Sequence, residues 1–383
     1  TSGQTTVPAG TCGDGVKAPG EACDDGGAAG GCAEDCQSTG DCGNGIVDAG
    51  EACDDHGGVS GAWCSADCQA STACAAGCDD GNECTADGCD AQLGCTVAPA
   101  YEGEACAEGE GSCRSGGCVV PAVVAGERAS CALGSDGAVT CWGTDDSSLV
   151  SGVPTAGPYT QLDLTYRTGC VRDVAGYVTC WGYNYQGTTT LVPVVVATDV
   201  AAGSYHACLV RADTGAVQCW GGNGSAQSTV VAGQYVDVAA ADHSTCAVTT
   251  AGAVTCWGAT AEYTGRPTTS DFASVVAGIS HYCGLREDGT AACWGANDYG
   301  ETVAPSGTFV ALAPGGNHTC GLRPSGVMEC WGAGEAEDRL QGGHYGQSTV
   351  PEAAWSVYRG VGAGYHHSCG LLAASGQVVC WGL

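Results

Sequence analysis

Fourteen cysteines after residue 119 stand in pairs ten or eleven positions apart, and each second member is followed by Trp-Gly. The pairs are Cys131/Cys141, Cys170/Cys180, Cys208/Cys219, Cys246/Cys256, Cys283/Cys293, Cys320/Cys330 and Cys369/Cys380. Thiols at this spacing can close a disulfide or ligate zinc. In Cys131–Cys141, residues equidistant from Asp136 face each other if the turn is a three-residue loop with Gly137 left-handed. The two cysteines then oppose each other at a non-hydrogen-bonded position, within bridging distance. Seven isolated pairs without a Cys-x-x-Cys knuckle argue against zinc. They read as staples, each worth roughly 2.5–3 kcal/mol in the chain-entropy model.

Other side chains also invite chemistry. His206, His281, His318 and His367 lie two residues before the first Cys of their pair, and His243 and His366 lie three before. A ring of imidazoles could hold a transition metal; the plainer expectation is that each satisfies backbone groups at a strand end. The pairs Asp24-Asp25, Asp54-Asp55 and Asp79-Asp80 offer oxygen ligands suited to Ca2+. They lack the alternating spacing of an EF-hand loop, so solvated turns are expected and no cofactor is required. The chain has no Gly-x-Ser-x-Gly elbow, His-Glu-x-x-His pair or phosphate-cradling Gly-rich loop. The expectation is a protein that is not an enzyme.

The elements that position these residues follow from the repeat. Successive Trp-Gly tryptophans, from Trp142 to Trp381, are 39, 39, 37, 37, 37 and 50 residues apart. That period suits a four-stranded propeller blade rather than a leucine-rich repeat. Short segments rich in Val, Thr and Ala, punctuated by Gly, read as strands. The fold class expected is all-β: a seven-bladed β-propeller over 119–383, preceded by a disulfide-rich, loop-rich region. Trp after the second Cys points to the opposite sheet face. Packing between blades is expected there, with ligand stacking the alternative. The last repeat lacks an outer segment, and Val119-Val120-Pro121 is expected to supply it as a clasp.

Composition sets the compartment and excludes partners. Thirty cysteines in 383 residues fit an oxidising, extracytoplasmic location, secreted or at a cell surface. With 42 acidic and 11 basic residues the net charge is −31, which disfavours nucleic acid and anionic membranes. No apolar run is long enough to span a membrane. The chain opens at Thr1 without Met or a hydrophobic leader, and a mature form whose signal was removed is expected. The first 118 residues hold sixteen cysteines, 21 acidic and 2 basic residues.

These motifs carry a resemblance. Ala202-Gly203-Ser204-Tyr205-His206-Ala207-Cys208-Leu209, Gly316-Asn317-His318-Thr319-Cys320-Gly321-Leu322 and Trp294-Gly295-Ala296-Asn297-Asp298-Tyr299-Gly300-Glu301 are similar to the repeat of the regulator of chromosome condensation family. That resemblance covers 119–383 and implies a seven-bladed propeller that binds proteins. The paired cysteines depart from the nuclear member and fit a secreted subgroup. Over 11–70, Cys12-Gly-Asp-Gly through Cys23-Asp-Asp recurs as Cys42-Gly-Asn-Gly through Cys53-Asp-Asp. It resembles disulfide modules of extracellular proteins, and 71–118 reads as a third such segment after a tail at 1–10. Their disulfide pairing stays open.

One irregularity stands out. The last Trp interval, from Trp331 to Trp381, is longer than the others, and most of its excess falls between Trp331 and Gln347. The resulting excursion over 334–344, with Glu335, Glu337, Asp338, Arg339 and His344, is a candidate binding loop on a rigid scaffold. The function expected is an extracellular binding or adhesion protein that engages a protein or glycan. The alternative is a structural subunit that assembles with copies of itself through the cysteine-rich region.

Overall fold

The structure is a computed structural model that describes residues 84–90, 94–99, 104–107, 111–115, 117–229, 231–334, 344–351 and 357–383. The chain divides into two compact units, Thr1–Tyr101 and Glu102–Leu383. In the first, strands Thr85–Asp90 and Gly94–Pro99 pair antiparallel, with Cys89 opposite Cys95. The second opens with a small sheet, Ala105–Cys106, Gly111–Arg114 and Gly117–Val119, stapled by Cys106–Cys118.

Seven three-stranded antiparallel sheets follow, one for each Cys–Cys–Trp–Gly motif. Their inner, middle and outer strands are, in blade 1, Ala122–Ala125, Ala129–Leu133 and Val139–Gly143; in blade 2, Tyr159–Thr165, Thr168–Asp173 and Val178–Gly182. Blade 3 has Ala197–Ala202, His206–Arg211 and Val217–Gly221, and blade 4 has Tyr235–Ala240, Ser244–Thr249 and Val254–Gly258. Blade 5 has Phe272–Ala277, His281–Arg286 and Ala291–Gly295, and blade 6 has Ala311–Pro314, His318–Leu322 and Met328–Gly332. Blade 7 has Tyr358–Ala363, His367–Leu372 and Val378–Gly382. Each inner strand packs against the next, and that of blade 7 packs against that of blade 1, so the ring is closed as a β-propeller.

Two sequence expectations change. Blades have three strands rather than four among the described residues, because the stretches that link consecutive blades run as turns and short 3-10 segments such as Asp146–Ser148 and Thr260–Tyr263. The expected clasp is also not formed. Val119 pairs with Ser112 of the small sheet, and its buried side chain packs with Leu133, Leu149 and Tyr159 of blades 1 and 2. Closure comes from the inner strand Ala122–Ala125 lying against Tyr358–Ala363, not from an added outer strand.

Middle and outer strands form the Cys hairpins. The two cysteines of each blade are register partners and are disulfide-bonded, as Cys131–Cys141, Cys170–Cys180, Cys208–Cys219 and Cys246–Cys256. The remaining blades carry Cys283–Cys293, Cys320–Cys330 and Cys369–Cys380. Their Cα atoms lie 4.0–4.1 Å apart in all seven. The two ends of a bridge are not equivalent. Every first cysteine is fully buried on the middle strand. The second sits on the outer strand, where Cys180 is buried, Cys141, Cys219, Cys256, Cys293 and Cys330 are half-buried, and Cys380 is exposed.

Gly137 takes the left-handed conformation at φ 75°, and so do Gly215 and Gly376 in the two hairpins one residue longer. The tryptophans form the contact between blades. Trp220 packs with Cys170 and Val178 of blade 2, and Trp257 packs with Val210 and Val217 of blade 3. Burying an indole of this size removes about 150–250 Å² of surface from water, a gross gain of roughly 4–6 kcal/mol before entropy.

Because each staple closes a short hairpin loop, replacing Cys246 and Cys256 together by Ala is expected to lower the unfolding free energy by about 2–3 kcal/mol. Denaturant titration of the purified protein reads this directly. A loss under about 0.5 kcal/mol, the size of an ordinary surface substitution, would show that the hairpin register holds without the bridge.

Candidate binding face

Inner and middle strands are joined by a tight turn that the sequence writes as Gly-x-x-His, and its geometry explains both ends of that motif. The N–H of Gly203, Gly278, Gly315 and Gly364 donates to the carbonyl of His206, His281, His318 and His367, at 2.7–2.8 Å. A Cβ on Gly278 would sit 2.4 Å from the Gly315 carbonyl of the next blade and 2.8 Å from its own histidine ring. The same contact joins Gly315 to Gly364, and Gly364 to Gly126 across the closure. Backbone bonds run around this mouth in step: Ile279 N–H to Gly315, Gly316 N–H to Gly364, and Tyr365 N–H to Gly126.

These four histidines do not cap their own strand ends; each reaches across to the next blade. His206 Nε2 lies 2.8 Å from Thr245 Oγ1, His281 Nε2 2.9 Å from Thr319 Oγ1, His318 Nε2 2.7 Å from Ser368 Oγ, and His367 Nε2 2.7 Å from Ser130 Oγ. Each of the first three hydroxyls donates onward to a carbonyl in the preceding inter-blade loop, those of Gln227, Glu301 and Gln347. The same three carbonyls accept Nε1–H of Trp257, Trp331 and Trp381 at 2.8–2.9 Å. Trp181 and Trp220 donate to Leu149 and Thr188 in the same way. Blade 5 breaks the pattern. Tyr282 stacks on Trp294 with centroids 6.0 Å apart, and its hydroxyl meets Ser244, which also donates to Glu262.

Burial sets the charge of these groups. It drives the imidazoles of His206 and His318 down to about 3 and that of His281 to about 4, so they stay neutral in the folded protein. Three carboxylates project from successive inner strands toward a central cavity of about 220 Å³: Asp163, Asp199 and Asp237. They tie neighbouring blades through backbone amides. Ala202 N–H donates to Asp163, Val238 N–H to Asp199, and Val275 N–H to Asp237, at 2.6–2.8 Å. Burial lifts Asp163 to about 6, and burial with the adjacent Asp199 raises Asp237 well above the carboxylate range.

Residues on the outside of the same turns, and of the loops after Trp-Gly, share one face of the propeller. Backbone bonds join the two sets, as in Tyr183 N–H to Arg167, Gly222 N–H to Tyr205 and Ala333 N–H to Asn317. Aromatic rings collect there. Tyr183, Tyr185, Tyr205 and His243 form a run with successive centroids 6.2, 5.2 and 5.0 Å apart. Across the mouth Tyr365 meets Tyr166 and His366, and His366 meets Tyr345. Arg167 lies over Tyr166 at 4.9 Å and pairs with Glu127 at 2.7 Å. Tyr183, Tyr185, Tyr299 and Tyr345 are exposed.

The candidate loop at 334–344 is rooted on this face. Gly334 N–H donates to His344 Nδ1, and the His344 ring lies 5.6 Å from that of Tyr299. Glu335, Glu337, Asp338 and Arg339 lie outside the described residues, as do Asp24, Asp25, Asp54, Asp55, Asp79 and Asp80. The aromatic run is a feature that reading the sequence misses. Its signal lies in the tyrosines that recur three or four residues before the first Cys and just after Trp-Gly.

The opposite face, formed by the hairpin turns, is partly covered. Arg114 of the small sheet donates to the Ser135 carbonyl, and Gly117 abuts Val174.

This geometry has relatives. The Regulator of chromosome condensation (RCC1) repeat matches residues 197–227 and 272–301, within blades 3 and 5 and the loops that follow them. No curated protein sequence matches. The fold is similar to the ectodomain of the receptor kinase CR4 of Physcomitrella patens, at 26% identity and TM-score 0.55, over 68% of this chain and 72% of that one. It is similar to the CRINKLY WD40 ectodomain of the Arabidopsis thaliana receptor kinase ACR4, at 25% identity and TM-score 0.54, over 69% and 95%. Human WBSCR16, at 15% identity and TM-score 0.50 over 66% and 86%, shares the fold. Seven propeller disulfides place the protein in an oxidising compartment outside the cytoplasm, secreted or at the cell surface. No helix among the described residues is long and apolar enough to cross a membrane.

The neutral histidines give the acid limb of stability a defined sign. Unfolded imidazole takes up a proton near pH 6.5, whereas folded His281 does so only near pH 4. Its contribution is therefore complete above pH 6.5 and is lost as pH falls toward 4. Asp163 acts in the opposite sense: its raised value favours the fold below pH 3.8, a contribution lost as pH rises through about 6. His281→Gln is expected to flatten the fall in unfolding free energy between pH 6.5 and 4 by about one proton's slope. Denaturant titrations at several pH values check this; an unchanged slope would rule out His281 as a buried neutral group.

The junction geometry makes a second prediction. Gly278→Ala is expected to destabilise the protein by about 1–3 kcal/mol, since its Cβ meets a backbone carbonyl that cannot rotate away. An unchanged melting temperature would mean that the ring of turns tolerates expansion.

Proposed function

We propose that the chain is a non-enzymatic extracellular binding protein whose aromatic turn face engages a protein or glycan. The observation that carries this reading is the run Tyr183–Tyr185–Tyr205–His243, with Tyr183 and Tyr185 exposed, on a closed, disulfide-stapled scaffold. Tyrosines supply large amphipathic contact area with few rotatable bonds, which suits recognition. Both similar structures with 25–26% identity are ectodomains of receptor kinases, which supports an extracellular recognition role for this propeller. The chemistry of the site also favours binding over catalysis. Ser244 sits beside the Glu262 carboxylate, which also meets the His243 imidazole, but the serine is fully buried and already donates to Glu262. It offers no exposed nucleophile. The reading requires no metal.

The test is an array of extracellular glycans and of purified extracellular protein domains, probed with the whole protein. Tyr185→Ala with Tyr205→Ala is expected to weaken any binding at least tenfold, whereas Tyr177→Ala on the opposite face leaves it unchanged. Equal loss from Tyr177→Ala, or no effect of the double variant, would remove the face from the account. Light scattering on the same sample decides the assembly alternative: a monomer supports the binding reading, and ordered polymers would replace it.

A further inference from the structure

The central cavity opens on the turn face through a mouth lined by Glu127, Tyr166, Ile279, Gly315 and Tyr365. One cation already stands on this rim. Arg167 lies over the Tyr166 ring at 4.9 Å, and its Nε is 2.7 Å from Glu127 Oε2. The Glu127 N–H donates to the Tyr166 carbonyl, which sets the carboxylate's turn beside the ring. A phenol face and a carboxylate thus hold one guanidinium between them, a combination that suits its flat, weakly hydrated cation.

Blades 3, 4 and 7 offer the same two parts without the cation. Tyr205 stands beside His243, with ring centroids 5.0 Å apart. Asp242 precedes that histidine, and Ser204 Oγ, one residue before Tyr205, donates to its carboxylate. Tyr365 meets Tyr166 at 6.3 Å on the other side. Burial lifts the phenols of Tyr205 and Tyr365, and the charge of Asp242 adds to both, so one carboxylate lies close enough to act on each ring. Burial also raises Asp242 itself, opposed by the Ser204 hydroxyl and His243; among the described residues no guanidinium pairs with it. The surrounding charge has one dominant sign. The exposed or half-buried carboxylates of this face are Glu127, Asp145, Asp146, Asp242, Glu262 and Asp298, against Arg128 and Arg167 among the described residues.

We infer that the rim formed by Tyr205, Asp242 and Tyr365 receives an arginine side chain of a partner protein, its guanidinium stacked on a phenol ring and paired with the Asp242 carboxylate. The inference rests on the binding reading above and names the chemistry of the partner. Charge complementarity selects a cation over a neutral sugar. Arg167 on Tyr166 and Glu127 displays the same pairing within the same frame of turns. Arginine fits better than lysine because its planar fork stacks and pairs at once, and it is a frequent anchor of protein interfaces.

The probe is a capped peptide with a single cation, Gly-Tyr-Arg-Tyr-Gly, titrated calorimetrically into the whole purified protein. The same peptide with citrulline in place of arginine keeps the planar shape and removes the charge. Saturable binding with Kd below about 1 mM is expected, and citrulline is expected to weaken it about tenfold. Asp242→Asn and Tyr365→Leu, each checked for an intact thermal transition, are each expected to weaken it about tenfold. Asp213→Asn on the hairpin face is expected to leave it unchanged. No saturable binding, equal affinity for the citrulline peptide, or equal affinity in both rim variants overturns the proposal. Arg339→Gln tests whether this chain fills the rim itself: unchanged peptide affinity supports a partner's arginine, and tighter binding overturns it. If the peptide fails while array binding still disappears in Tyr185→Ala with Tyr205→Ala, this rim falls and the binding reading stands.

Discussion

One main-chain carbonyl at each of several blade junctions receives two hydrogen bonds, one from an indole and one from a hydroxyl, and the rest of the ring is arranged around it. The carbonyls of Gln227, Glu301 and Gln347 belong to buried residues, so their alternative to this double bond is an unpaired polar group in a dry interface, at about 1–3 kcal/mol each. The indole that donates also supplies the apolar contact with the preceding blade, as Trp257 does against blade 3. Packing and polar satisfaction are therefore not separable here. A rotamer change in Trp257 would open a cavity and orphan a carbonyl together. The hydroxyl extends the node to the histidine of the preceding blade and selects its tautomer. Its own proton goes to the carbonyl, so Nε2 of the histidine carries the hydrogen and donates. The Nδ1 atoms of His206, His281 and His318 are buried without a partner among the described residues, so protonating one would bury an unpaired donor.

This arrangement also accounts for the disulfides. A three-stranded blade with a small inner turn has little core of its own, since Ala and Gly make up half of the inner strands of blades 3, 6 and 7. The staple fixes the hairpin at the position between the donating Trp and the middle strand that carries the histidine. The residue after each second Cys is the Trp, and the residue before the first Cys carries the hydroxyl in four blades, Ser130, Thr245, Thr319 and Ser368. Locking the Cys register thus locks the two groups relative to each other. Reduction would release both constraints, which suits a protein confined to an oxidising compartment.

Much of this is readable in the chain. The Cys–Cys–Trp–Gly period sets the number of sheets, and mirror spacing about Asp136-Gly137 places Cys131 opposite Cys141. Three things are not readable, each for a physical reason. The histidine partners are remote in sequence, 38, 39 or 50 positions on or across the ring closure, a non-local pairing that only blade packing reveals. Val119 alternates apolar with its neighbours in a way that suits either an outer strand or the small sheet; the Cys106–Cys118 bridge holds it in the second. The aromatic run is scattered as Tyr183, Tyr185, Tyr205 and His243 over neighbouring repeats, and becomes a surface only when the turns of adjacent blades bring ring centroids to 5.2 and 5.0 Å.

The regularity of the ring sharpens the meaning of its departures. A repeat that must satisfy the same carbonyl at each junction has little freedom inside, so variation is displaced to the positions that point away from the node. Those are the residues three and four before the first Cys and the loop after Trp-Gly, and both emerge on one face. Tyr205, His243 and His366 occupy one such position in three blades, while Ser280 and Asn317 occupy it in two others. The aromatic sector is thus an asymmetry laid over a symmetric frame. Blade 5 shows the limit of that freedom. Tyr282 replaces the small hydroxyl residue beside the cysteine, and the junction answers with a different loop, Thr260–Tyr263, that brings Glu262 to Ser244 and His243. A change at the node forces a new loop, whereas a change on the face does not. A scaffold with that division can vary its exposed face without altering how it closes.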